Sequence, residues 1–204
     1  MPALPDPAPC AAPALSATLR VLAAALDERD QPTNAHCDRV ARLACALGVH
    51  CDLDERQRRD LVIAARFHDV GKIGIPDGVL LSPAALDAGG WTTMQSHPIR
   101  GERLFLATGR RDAARVARLI RHHHEAVDGS GYPDGLRGAE IPLECRILSL
   151  VDAYDAMTSH RPYRAPMPHA EAMRRLGDAQ GTQIDPDVFR EFERLAPRLP
   201  QAAT

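Results

Sequence analysis

Apolar residues recur along most of the chain at three- and four-residue spacing, and no convincing alternating pattern of a half-buried strand appears. The periodicity predicts helices over roughly 14–28, from Thr33-Asn34 to Gly48, from near Asp54 to Gly71, and over about 91–107 and 112–125. A long helix follows over about 143–159, with shorter ones near 168–177 and 185–195. Two stretches break the pattern. Residues 73–90 are irregular and contain Pro76 and Pro83, and the segment Asp128–Gly138 holds four glycines and a proline, the composition of a structured loop. Residues 1–13 include five prolines and are expected to form a disordered tail, leaving 14–198 as one all-α domain, a single helical bundle.

The same periodicity shows where polar residues point. In the second helix His36, Val40, Leu43 and Leu47 form one stripe, and in the third Leu61, Ala65 and His68 share a face. In the fifth, Val116, Leu119 and Ile120 lead to His123, with His122 and His124 beside it. In the long late helix Leu148, Asp152 and Asp155 follow one another at i, i+4 and i+7. Taken singly, an inward histidine is an ordinary hydrogen-bonded core residue and an inward aspartate an ordinary cap or ion-pair partner. Four such helix ends, together with His97-Pro98, form a pattern of another kind. A buried carboxylate is costly unless paired or metal-bound. Mixed imidazole and carboxylate donors suit first-row transition metals and neither a calcium cage nor a thiolate zinc site.

Composition narrows the classes further. The 204 residues are 45% hydrophobic and 25% charged, as in an ordinary globular protein able to bury its own core. No apolar run is long enough to span a membrane, and the first residues lack the basic start and apolar stretch of a signal peptide. The five cysteines form no CxxC pair and read as reduced thiols of a cytoplasmic protein. A net charge of −2 gives no support to nucleic-acid binding. Of the 25 basic side chains only Lys72 is a lysine; a compact ammonium stands alone among arginine forks, in the segment His68-Asp-Val-Gly-Lys-Ile-Gly.

Several segments together carry a resemblance: His36-Cys-Asp-Arg-Val, His68-Asp-Val-Gly-Lys-Ile-Gly-Ile-Pro-Asp77, His97-Pro-Ile-Arg-Gly101, and His123-His-Glu-Ala-Val-Asp-Gly-Ser-Gly-Tyr-Pro-Asp-Gly-Leu-Arg-Gly138. Ile141-Pro-Leu and Asp152-Ala-Tyr-Asp-Ala-Met-Thr-Ser-His-Arg-Pro-Tyr-Arg164 continue the order. The chain resembles the HD-GYP domain, a subgroup of the HD metal-dependent phosphohydrolases, from about residue 24 to 192. The resemblance implies an HD-type helical bundle with a glycine-rich loop beside a buried binuclear metal site. It also implies hydrolysis of cyclic di-GMP to linear pGpG, GMP or both.

Carried over by position, His36, His68, Asp69 and Asp152 would hold one metal, and His97, His123 and His124 a second, with Asp69 bridging. Two divalent transition-metal ions are implied, iron or manganese by preference, with nickel, cobalt or zinc compatible. Lys72, Asp69 and Asp155 are the catalytic candidates; Lys72, Arg161, Arg164 and Tyr132 are the substrate-binding ones. His122 is expected outside the metal set, because the family's histidine pair directly precedes the glutamate, here Glu125. The chemistry stands without the family name: two metals roughly 3.5–4 Å apart activate a bridging water and polarise a phosphodiester, and cationic side chains offset charge on the phosphate oxygens.

Where some members carry a third-metal glutamate this chain has Pro32, so two metals are expected. The short tail leaves no room for a receiver or sensor domain, so regulation is expected from a separate protein or not at all. Gly131-Tyr132-Pro133 could also meet a signalling partner, and a homodimer is left open. Two other readings compete: an adaptor without catalysis acting through this loop, and a hydrolase of another cyclic dinucleotide or a nucleotide.

Overall fold

In the computed structural model, residues 15–29, 33–160 and 165–198 are described. Ten helices follow in order: α1 (Ala17–Arg29), α2 (Thr33–His50), α3 (Glu55–Phe67), α4 (Asp77–Leu80), α5 (Ala88–Met94), α6 (His97–Leu106), α7 (Ala113–His122), α8 (Leu143–Thr158), α9 (His169–Asp178) and α10 (Pro186–Leu195). Short 3-10 turns span Val70–Gly74, Gly138–Glu140 and Ala196–Arg198. Among the described residues no strand forms, and the one extended pairing is a bridge between Gln180 and Ile184. The expected all-α bundle is present. The expected tail at 1–13 lies outside the described residues, as do Pro32, Arg161 and Arg164.

Local signals set several boundaries. Asp54 caps α3 by accepting from the Gln57 N–H at 2.7 Å, while the Gln57 side chain accepts from the Asp54 N–H at 3.0 Å. Asp185 accepts from the N–H groups of Asp187 and Val188 ahead of Pro186, which pre-sets the first turn of α10.

The buried stripes then meet. α2 packs against α3 and α8, α3 against α7, and α6 against both α7 and the Val70–Gly74 turn. Val40, Leu47, Leu61, Phe67, Ile120 and Leu148 fill the space between them, all essentially without solvent contact. Phe67 and Phe105 lie 5.9 Å apart, and α10 closes the far side through Phe192 against Tyr154 at 5.0 Å. No helix among the described residues is long and apolar enough to cross a membrane. Cys37, Cys51 and Cys145 are free thiols.

Several predicted boundaries differ from the structure: α2 runs past Gly48 to His50, and the short α4 forms within the stretch expected to be irregular. The helix expected to reach Gly71 stops at Phe67 and tightens into the 3-10 turn. The helix expected over 91–107 is two, α5 and α6, with the break at Gln95-Ser96. Proline explains this break, because Pro98 has no N–H to give the Met94 carbonyl and its ring would crowd that carbonyl in a continuous helix. The helix expected to run to about residue 125 ends at His122.

The turn after α3 lies hard against the start of α6 because Gly71 has no side chain. A Cβ there would run into the carbonyl oxygen of His97, and the facing residue, Gly101, leaves equally little room. Since Asp69 and His97 flank this contact, Gly71→Ala should disturb both. We expect a loss of about 1–3 kcal/mol in urea unfolding, the usual cost of overpacking. Unchanged stability would mean the two backbones separate freely.

Candidate metal centre

Five histidines and two aspartates come together where α3, α5 and α7 end. His68 is the residue after α3, His123 the residue after α7, and His97 follows α5 across the break at Gln95-Ser96. The last carbonyls of a helix lack an intrahelical partner. Each of these histidines donates through Nδ1 to such a carbonyl three residues back: His68 to Ala65 at 2.8 Å, His97 to Met94 at 2.8 Å, and His123 to Ile120 at 2.7 Å. The Met94 carbonyl is the one that Pro98 leaves without a donor. With Nδ1 as donor, Nε2 of a neutral ring carries a lone pair.

Those Nε2 atoms face one another and the carboxylates. His97 Nε2 and His123 Nε2 are 3.4 Å apart. His68 Nε2 is buried without a hydrogen-bond partner, with Asp69 Oδ2 at 3.4 Å and Asp152 Oδ1 at 3.8 Å. Asp69 turns its other oxygen to His97 Nε2, also at 3.4 Å. His36, in the first turn of α2, contacts Asp152 Oδ1 through Nε2 at 3.1 Å and Asp155 Oδ2 through Nδ1 at 2.7 Å. His124 stacks at 4.0 Å from the His123 ring and 5.1 Å from His97. Two groups of donor atoms result, His36 with His68 and Asp69, and His97 with His123 and His124. Opposed lone pairs and an unpartnered buried nitrogen fit a bound cation, and both donor sets suit a transition metal.

Electrostatics divides the centre in two. On the carboxylate side, burial opposes charge on every group, yet mutual attraction outweighs it. The His36 pKa rises to about 9 because hydrogen bonds and charge from Asp152 and Asp155 overcome desolvation. His68 also moves up beside Asp69 and Asp152. Asp152 falls to about 2 under His36 and His68, and Asp69 falls well below the usual range, with Lys72 the strongest attraction. On the imidazole side burial wins: His97 is lowered, His123 well lowered and His124 brought down to about 4.

Lys72 reaches Asp69 Oδ2 from one turn away, at 2.7 Å. Tyr132 lies over His124 with ring centres 4.9 Å apart, and burial followed by the charges of Asp69 and Asp152 pushes its hydroxyl pKa up. Asp155 stands differently from its expected place among catalytic groups. Its Oδ2 accepts from His36, Arg39 and Ser159 and its Oδ1 from Arg39, so the carboxylate is occupied behind the centre. His122 points away from the other two histidines, to Asp134 Oδ2 at 2.8 Å.

Sequence reasoning passed over three residues that build this geometry. Glu125, fully buried, accepts from the N–H groups of Asp134 at 2.8 Å and Leu136 at 3.0 Å and so pins the glycine-rich loop. Arg121 grips Asp134 with two nitrogens at 2.7 and 2.8 Å. Arg39 does the same to Asp155. The inward aspartate of α8 was the available signal for Arg39, since a buried carboxylate demands a cation and Arg39 lies one turn from His36.

Known proteins resemble this chain. The family model described as HD domain matches residues 20–188. A cyclic di-GMP phosphodiesterase response regulator of Xanthomonas campestris pv. campestris is 40% identical over 169 residues, 83% of this chain and 45% of that protein. A 3'3'-cGAMP-specific phosphodiesterase of Vibrio cholerae is 33% identical over 179 residues, 88% of this chain and 38% of that protein. A crystal structure of a cyclic GMP-AMP-specific phosphodiesterase from V. cholerae superposes with a TM-score of 0.65 at 21% identity, covering 88% of this chain and 48% of that one. The chain thus spans less than half the length of each. The centre built from His36 to Asp152 and the matched family model agree: the chain belongs to the HD domain family.

Proposed function

We propose that this domain is a metal-dependent phosphodiesterase that opens a cyclic dinucleotide, cyclic di-GMP in the first instance, to the linear pGpG, GMP or both. The observation that carries the reading is the set of Nε2 atoms on His36, His68 and His97 turned to Asp69 and Asp152, with His123 Nε2 facing that of His97, while the Nδ1 of each of the four is hydrogen-bonded behind. The 40% identical relative supports the choice of substrate. A second substrate, 3'3'-cGAMP, has support from the relative at 33% identity.

His36, His68, Asp69 and Asp152 would hold one ion; His97, His123 and His124 would hold the other, with one Asp69 oxygen facing each set. Two divalent transition-metal ions bound there, iron or manganese by preference, supply Lewis acidity and an activated water for attack on phosphorus. Lys72 holds Asp69 ionised and in place, and its ammonium would offset charge on the non-bridging oxygens of a bound phosphodiester. Tyr132 forms a wall over His124 against which a base or ribose can rest. Arg161 and Arg164 are retained as phosphate contacts on their place in the sequence motif. Asp155 positions His36.

Three experiments test this. Protein purified without oxygen should carry two tightly bound ions by elemental analysis and cleave cyclic di-GMP when iron or manganese is restored. No bound metal under any loading, or cleavage of 3'3'-cGAMP alone, would overturn the reading in its metal or its substrate part.

His123→Ala and His124→Ala should each lose metal and abolish turnover. His122→Ala should keep most of both, since its Nε2 faces Asp134. Equal damage in all three would place His122 among the ligands.

Lys72→Arg keeps the charge and changes its shape. A misplaced donor should cost about 2–4 kcal/mol of transition-state stabilisation, roughly 30–1,000-fold in kcat, by analogy with one lost oxyanion donor. Metal content should stay at the wild-type level. Near-normal turnover would remove Lys72 from the catalytic set.

A further inference from the structure

The carboxylate of Asp155 is buried behind His36 and accepts four hydrogen bonds, two of them from one side chain. Arg39 Nε meets Oδ1 at 2.7 Å and Arg39 Nη2 meets Oδ2 at 2.9 Å, while His36 Nδ1 and Ser159 Oγ share Oδ2 at 2.7 and 3.0 Å. Asp155 keeps only 4% of its side-chain surface, so it cannot turn to water if a partner is lost. Arg39 and His36 are three residues apart on α2 and present to the same point on α8.

We propose that Arg39 is a positioning residue for the carboxylate-side metal, acting through Asp155 on the orientation and tautomer of His36. The proposal rests on the binuclear reading above. Its physics is a matter of donors and acceptors. A carboxylate fixed by a guanidinium fork can only accept from His36 Nδ1, which leaves Nε2 as the nitrogen turned to Asp152 and the ion. His68, His97 and His123 use backbone carbonyls for this purpose, and those are fixed by their helices. His36 relies on a side chain instead, and a side chain needs a holder of its own. Arg39 supplies two fixed donors to it, where a lysine would supply one movable point.

A purely structural ion pair has a counterpart in the same protein that serves as control. Arg115 grips the buried Asp60 through Nε at 2.6 Å and Nη2 at 3.3 Å, away from the centre. The test is a titration of metal-free full-length protein with Mn(II), read as free Mn(II) by electron paramagnetic resonance, alongside thermal unfolding of the metal-free form. In Arg39→Met one of the two equivalents should bind about 10–100-fold more weakly while the other keeps its affinity. Arg39→Lys should show the same selective loss to a smaller degree, and it carries the test if Arg39→Met fails to fold. Arg115→Met should lower the melting temperature and leave both equivalents unchanged.

Wild-type affinity for both ions in the Arg39 variants would overturn the proposal, as would equal weakening of both equivalents. A wild-type protein that binds no Mn(II), Fe(II) or Zn(II) would instead bring down the binuclear reading itself, and this inference with it.

Discussion

A neutral imidazole has one donor nitrogen and one acceptor nitrogen, and the protein decides which is which by offering the donor a fixed oxygen. Three of the histidines in this centre receive that oxygen from the end of a helix. His68, His97 and His123 each cap an orphaned carbonyl three residues back, so the end of α3, the break after α5 and the end of α7 are where the oriented imidazoles gather. Had any of these helices run one turn further, the carbonyl would be taken by a backbone N–H and the ring would lose its orientation. Ending α3 and α7 here also turns the negative poles of two helices towards the candidate metal centre.

The two halves of the centre solve the problem of buried charge in opposite ways. Around Asp69 and Asp152 the carboxylates stay ionised and draw positive charge to themselves: Lys72, a raised His36 and a raised His68. Around His97, His123 and His124 desolvation and mutual repulsion keep the rings neutral, with their lone pairs available at neutral pH. Asp69 joins the halves because it is placed on a turn, not a helix, where its two oxygens can face different ways. That turn fits only because Gly71 lets it touch α6.

Much of this was legible in the residues. Helical periodicity gave the all-α bundle and put His36, His68, His123 and Asp152 at the ends of inward stripes, and the ordered motifs named the family. What escaped was governed by single backbone groups. Pro98 splits one predicted helix into α5 and α6 by withholding a hydrogen bond, and periodicity is blind to a missing N–H. Asp155 shares its face with Asp152, so spacing turned both towards the centre, one as a ligand and one as a catalytic group; only the three-dimensional position of Arg39 shows that one looks into the centre and the other behind it. Glu125 served in the sequence as a marker of register, while in the fold it is a backbone acceptor for residues nine and eleven positions away.

That last contact ties the glycine-rich loop to the centre more firmly than its composition suggests. The loop returns to the stretch His123–Glu125: the Tyr132 N–H donates to the His124 carbonyl at 3.1 Å, and the N–H groups of Asp134 and Leu136 donate to the Glu125 carboxylate. Gly131 lies directly on the Glu125-Ala126 backbone, where a Cβ would have no space. Arg121 and His122, from the last turn of α7, hold Asp134 from outside. One short segment therefore carries two of the imidazoles on one side and anchors the loop on the other. Displacing the loop would pull on His124 through its own carbonyl, and shifting the histidine pair would move Tyr132. The loop and the histidine pair are thus joined through a single turn of backbone, with no long path between them.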